Sequence, residues 1–161
     1  MYIIGRCHVK SPTSEQCAAL GVEGPIACFY KLYKNGVLYH AEGTGVCGKR
    51  DRTVYAFQMR DGQKHFGRTV LFVNSPSSQV LIREFHQPSQ SLLQQAGPPC
   101  RPTLAIYKEV DMLNSFITTI QENSASPLLA IPITDILRKL VFVKNQACTY
   151  VIKLPNHFER H

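Results

Sequence analysis

FGRTVLFV-NSPSSQ-VLIREFHQP, residues 66–88, is the stretch whose reading decides the fold. Its first run is apolar and β-branched, with Gly67-Arg68 at its head. Its last run places Val80 and Ile82 on one face and Leu81, Arg83 and Phe85 on the other, the period-two pattern of a strand. Between them lie Asn74, Ser75, Pro76 and Ser77. These residues favour turns because short polar side chains bond their own backbone and proline pre-sets φ. The stretch therefore predicts a β-hairpin.

Working outward, residues 53–59 (TVYAFQM) alternate, with Tyr55, Phe57 and Met59 on one face and Val54, Ala56 and Gln58 on the other. Arg60-Asp61-Gly62-Gln63 then predicts a turn onto residues 65–73. The result is a meander of strands 53–59, 65–73 and 79–86. Upstream, Asn35-Gly36 separates two β-prone runs and predicts a hairpin of residues 27–33 and 37–41, since both turn positions need positive φ. Residues 2–9 read as a first short strand. Residues 11–16 read as a turn, or as the start of a short helix capped by Ser11 or Thr13 that runs through Leu20 and ends at Gly21.

Downstream, four prolines in residues 87–103 forbid a long regular element, leaving a loop with at most one helical turn at 91–95. A strand starts at Leu104–Tyr107. Val110, Leu113, Ile117 and Ile120 recur at helical spacing and predict a helix, against the β-branched run at 117–120. Strands are expected at 128–131, 140–144 and 149–154, with a tight connection at 132–136. The expected fold is mainly β: a small, partly open β-barrel or sandwich of about eight to ten short antiparallel strands, with at most one or two short helices. Residues 1–52 are expected to form an N-terminal hairpin region with a basic loop, packed on a main domain of residues 53–161.

The chain has 161 residues, 44% hydrophobic and 18% charged, which excludes a disordered chain and suits one domain. The net charge is +7. The excess is densest from Lys49 to Arg68, where Lys49, Arg50, Arg52, Arg60, Lys64 and Arg68 face only Asp51 and Asp61. Such a balance suits a polyanionic or acidic partner. Residues 42–52 (EGTGVCGKRDR) are Gly-rich but match no phosphate loop: Arg50 stands where a metal-binding hydroxyl belongs, and no buried strand precedes or helix follows. No run approaches the length of a membrane span, and no signal peptide is evident, so a nuclear or cytoplasmic, reducing setting is expected.

The six cysteines (Cys7, Cys17, Cys28, Cys47, Cys100, Cys148) include no CxxC pair. A zinc site from Cys7, His8, Cys17 and Cys28 fits no standard ligand spacing. Neither a metal nor a cofactor is expected. The six histidines show no HExxH spacing, and none stands beside a carboxylate in the sequence in an acid–base arrangement. There is no GxSxG elbow. No catalytic residue and no small-molecule substrate are expected.

Residues 53–158 resemble a bromo-adjacent homology domain, through Phe66-Gly67-Arg68 at the head of a strand, Phe85-His86-Gln87-Pro88 after the next, and Pro132-Ile133-Thr134-Asp135-Ile136 with Lys139, Phe142 and Val143 leading into closing strands. They depart from that family in having Glu84-Phe85 where a tryptophan is usual. The ending Tyr150-Val151-Ile152-Lys153-Leu154-Pro155-Asn156 is equally similar to the β-rich C-terminal region of some transposase-derived proteins. The resemblance implies a nuclear, non-enzymatic module contacting DNA or chromatin proteins. In that reading Lys49, Arg50, Arg52, Arg60 and Lys64 meet phosphates, and Arg68 is structural, pinned behind Gly67. The alternatives are a peptide-binding or scaffold domain using a sheet edge or an aromatic pocket of Tyr30, Tyr33, Tyr39 and Phe85, and an inactive remnant of a transposase-derived protein.

Overall fold

The computed structural model describes residues 2–3, 5–42, 51–74, 77–88, 116–144 and 149–153. In chain order the elements are β1 (Tyr2–Ile3), β2 (His8–Lys10), α1 (Ser14–Leu20), β3 (Ile26–Phe29), β4 (Lys31–Lys34), β5 (Val37–His40), β6 (Val54–Gln58), β7 (Lys64–Val73), β8 (Gln79–Glu84), β9 (Ile117–Ile120), β10 (Leu128–Pro132), a 3-10 turn (Ile133–Asp135), β11 (Ile136–Lys139), β12 (Val141–Lys144) and β13 (Thr149–Ile152). The fold is mainly β, every strand pairing is antiparallel, and the sheets do not close into a barrel.

Strand β7 organises the central seven-stranded sheet. It pairs with β8 along its length. On its other side it pairs first with β6, then with β3. Strands β10, β11 and β2 extend the sheet outward from β8, β6 and β3. Strands from both sides of position 52 thus share one sheet. The meander β6–β7–β8 has the predicted bounds to within a residue or two.

Both faces of this sheet are buried, and that follows from the alternation. Tyr55, Phe57, Phe72, Val80 and Ile82 project to one face, where Leu32, Tyr39 and Ala41 of the β1–β4–β5 sheet meet them. The opposite face divides in two. Leu71, Val73 and Leu81 pack with Ala19 and Leu20 of α1. Val54, Ala56, Phe66 and Phe85 pack with Ile120, Val151 and Phe142 of the β12–β13–β9 sheet. The product is a three-layer sandwich. Fully burying an aromatic side chain such as Phe57 or Phe72 stabilises it by about 1.5–3 kcal/mol.

Local chemistry sets the ends of these elements. Asn35 and Gly36 both take positive φ (52° and 81°), as the β4–β5 turn requires. Helix α1 has a capping box: the Thr13 hydroxyl accepts from Gln16 N–H, and Gln16 Oε1 accepts from Thr13 N–H. It stops at Gly21, whose φ of 64° few other residues accept. Of the two readings of residues 11–16, the helix holds, with Thr13 as its cap.

Three expectations fail. Residues 117–120 form strand β9, not a helix: Ile117, Thr118, Thr119 and Ile120 are all β-branched, and pairing with β13 decides what the spacing left in conflict. Residues 2–9 form two strands in different sheets, not one. Ile136, read as the end of a connection, and residues 137–139, which had no assignment, form β11 on the edge of β6. Val110, Leu113, the strand at 104–107 and the turn at 91–95 lie outside the described residues.

Two one-residue bulges reset the alternation. In β7, Thr69 pairs with Ile82 and Leu71 with Leu81, leaving Val70 as an extra residue. In β11, Ile136 pairs with Phe57 and Arg138 with Ala56, leaving Leu137 extra. Were Leu137 paired in a regular ladder, Arg138 would share a face with Ile136, inside the first apolar layer. With the bulge, Arg138 emerges on the other face, beside Ala56.

Candidate nucleic-acid interface

The described residues of the basic window have different settings. Lys49 and Arg50 lie outside the described residues. Arg52 is exposed just before β6, and Arg60 is exposed in the β6–β7 turn. Arg68 is committed to structure, as expected, though the cause is charge and not the strand behind Gly67 alone. Its guanidinium donates to Asp51 Oδ2 at 2.7 Å and Glu122 Oε1 at 2.5 Å, and Glu42 Oε1 stands 3.9 Å away. It lies 5.0 Å from the Phe142 ring centroid and 5.7 Å from that of Phe85. Burial disfavours its charge, but Asp51 and Glu122 more than offset this and hold its pKa above the ordinary arginine value. Its cross-strand partner Arg83 is equally engaged: it meets both carboxylate oxygens of Glu15 on α1, at 3.0 and 3.1 Å, and donates to the carbonyls of Ser124 and Ser126. Two arginines directly opposite would repel. Here carboxylates from separate segments neutralise them, and together they tie the helix, the sheet and the 121–127 loop.

Lys64, at the start of β7, has a different setting. It lines a cleft of about 430 Å³ with Ala56, Phe116, Leu137, Arg138 and Lys153. Cations from β7, β11 and the residue after β13 converge there, and no carboxylate among the described residues lines it. Among the described residues neither Lys64 nor Arg138 is paired with an acid. Lys153 Nζ sits 5.4 Å from the Phe66 ring centroid. Its pKa is lowered, first by burial and then by the charges of Lys64 and Arg138. Bringing like charges together in a partly desolvated cleft is unfavourable unless an anion answers them. Phe116, at 47% exposure, stands at the rim, and its carbonyl accepts from Lys153 N–H at 2.7 Å.

Arg138 and Lys153 escape a reading of the sequence. Lys64, Arg138 and Lys153 are far apart along the chain, and the bulge at Leu137 inverts the face that counting would assign to Arg138. Lys153 belongs to the final Tyr-Val-Ile-Lys run, whose interest in the sequence was its ending, not its charge.

The four aromatic candidates do not assemble into a cage. Tyr39 is buried in the first apolar layer and Phe85 on the opposite face of the central sheet. Tyr30 is partly buried against two clusters, and Tyr33 lies at 38% exposure on β4. Packing accounts for Tyr30, Tyr39 and Phe85.

One histidine does stand beside carboxylates. His65 Nδ1 meets Glu84 Oε1 across the β7–β8 ladder, and His65 Nε2 lies 3.5 Å from Asp61 Oδ2. The sequence hid this because Glu84 comes from the neighbouring strand. The ring stacks on Phe57, at 5.9 Å between centroids, and borders a cleft of about 370 Å³ with His86 and Ser126. Among the described residues no hydroxyl or thiol is hydrogen-bonded to His65. No group of three His, Cys, Asp or Glu residues there is placed to hold a metal ion. Nor, among the described residues, is any helix long and apolar enough to cross a membrane.

Comparison with protein-family models, with curated proteins and with solved structures finds no significant match.

Proposed function

We propose that this chain is a non-enzymatic binding module that engages nucleic acid as a polyanion, with the Lys64–Arg138–Lys153 cleft as its contact. The observation that carries the reading is the convergence of those three cations in one cleft. A phosphate placed among them relieves their mutual repulsion. Arg52 and Arg60, both exposed, and the overall charge of +7 add long-range attraction. The resemblance of residues 53–158 to a bromo-adjacent homology domain extends the reading to chromatin, with nuclear DNA or chromatin proteins as the natural partners.

The test is affinity for generic nucleic acid as a function of salt. Three phosphate contacts predict a fall of about 20- to 40-fold between roughly 50 and 200 mM salt. The Lys64→Glu/Arg138→Glu variant, its fold checked by circular dichroism, should lose most of that affinity and flatten the slope. Binding that ignores salt, or that the double variant retains, refutes the reading.

A further inference from the structure

Building on the polyanion reading, we propose that the cleft takes one nucleotide of a single strand, with its phosphate among Lys64, Arg138 and Lys153 and its base stacked on Phe116.

The size fits first. A cleft of about 430 Å³ lies within the range of small-ligand sites and suits a single nucleotide. A duplex presents phosphates but keeps its bases stacked inside, so it offers Phe116 nothing. The chemistry fits next. A cationic groove with an aromatic face beside it is the combination that binds single strands, the charges tracking the backbone and the ring accepting any base. Phe116 is 47% exposed, although large apolar rings are ordinarily buried, and it lines this cleft.

The framework is rigid. The Phe116 carbonyl is bonded to the Lys153 amide, which continues the β9–β13 ladder, so the ring and one cation are carried on the same paired strands. Arg138 comes from β11 and Lys64 from β7, which the central sheet holds together through β6. Ala56 contributes a small side chain that leaves depth, and Leu137 an apolar wall for a sugar or base edge. Cations and ring are thus placed before the ligand arrives, which keeps the ordering cost of binding low.

The experiment uses fluorescence anisotropy on the full chain with four probes: oligothymidylate, oligouridylate, a DNA duplex of equal length, and heparin, a polyanion without bases. The expected result is tighter binding to the single strands than to the duplex. Phe116→Ala should weaken single-strand binding by about 5- to 150-fold while leaving heparin affinity unchanged. Phe116→Leu keeps an apolar side chain but no aromatic face, and should fail like alanine, whereas Phe116→Tyr should bind normally. Equal binding of single strand and duplex, or a leucine variant that binds normally, overturns the stacking proposal and leaves the polyanion reading standing. Failure of all four probes to bind the unmodified chain overturns both.

Discussion

Gly67 sits in the middle of β7 with no room for a side chain, and Gly67→Ala measures how tightly the central sheet is built. A β-carbon there would stand 2.5 Å from Ile82 Cγ2, 2.7 Å from the Arg83 carbonyl oxygen and 3.1 Å from Phe57 Cε1. Ordinary carbon contacts are about 3.5–4.0 Å, so the neighbours must retreat by about 1 Å. Ile82 and Phe57 are wholly buried and have nowhere to go. The Arg83 carbonyl belongs to β8, which cannot withdraw without loosening the β7–β8 ladder. Overpacking of this kind costs about 1–3 kcal/mol. Removing a glycine from the unfolded chain returns about 0.4–1 kcal/mol. Two of the three contacts are under 3 Å and one of these is with backbone, so the upper half of the overpacking cost applies, and a net loss of roughly 1–2.5 kcal/mol should lower the melting temperature by roughly 2–10 °C for a domain of this size. Urea and thermal unfolding followed by circular dichroism measure it. Ile82→Leu moves the branch away from the β-carbon, so the double variant should lose less than the two single losses added together. A Gly67→Ala protein as stable as the parent, or more stable, would refute close packing at this point of the sheet.

Lys34 donates to the carbonyls of Ile133, Thr134 and Ile136 at 3.0, 2.9 and 3.2 Å, so Lys34→Met should cost about 1–3 kcal/mol in urea unfolding and speed hydrogen exchange around the 3-10 turn; an unchanged midpoint would count against the clamp. His40 is buried, and burial, then the charges of Lys139, Lys31 and Arg52, lower its pKa. Because its folded pKa lies below the unfolded value of about 6.5, its contribution is complete above that value and is lost as pH falls toward the folded pKa. His40→Gln should therefore flatten the fall in urea midpoint between about pH 7 and 5, and an identical slope in the variant rejects the assignment. At Asp51 and Glu122 burial raises the pKa but is outweighed by bonds from Thr53 and Arg68, and from Lys144 and Arg68, so both end below their ordinary values. Their contribution is present above about pH 4 and lost as pH drops through the folded values. Arg68→Met should cost about 1–3 kcal/mol at neutral pH and blunt that acid sensitivity in pH-dependent unfolding.

The meander β6–β7–β8 and the β4–β5 hairpin were legible because their alternation is unbroken and their turns carry Asn-Gly and Asp-Gly. The helix α1 was legible as one of two readings, through Thr13, Gln16 and Gly21. At 117–120 two local signals conflicted, and only pairing with β13 resolves them. The interface was harder to read. Lys64 was visible in the basic window, but a cluster of charge in sequence says nothing about which residues are spent: Arg68 is consumed by Asp51 inside the window and by Glu42 and Glu122 outside it. Arg138 and Lys153 reach the cleft through strand order, and His65 reaches Glu84 through register. None of these leaves a mark in spacing.

Leu137 lends the molecule something other than its side chain. It is 39% exposed, and by that measure almost any residue should serve there. Yet it stands outside the ladder: Ile136 pairs with Phe57 and Arg138 with Ala56, so two residues that plain alternation would put on one face take opposite ones. Drawing Leu137 into the ladder would slide Arg138 onto Tyr55 and aim a guanidinium into the first apolar layer. Deleting Leu137 would leave Ile136 and Arg138 consecutive, and alternation would then keep both on the faces they already occupy. The position is therefore indifferent to spelling and tolerant of deletion, a freedom that a survey of point substitutions alone would not reveal.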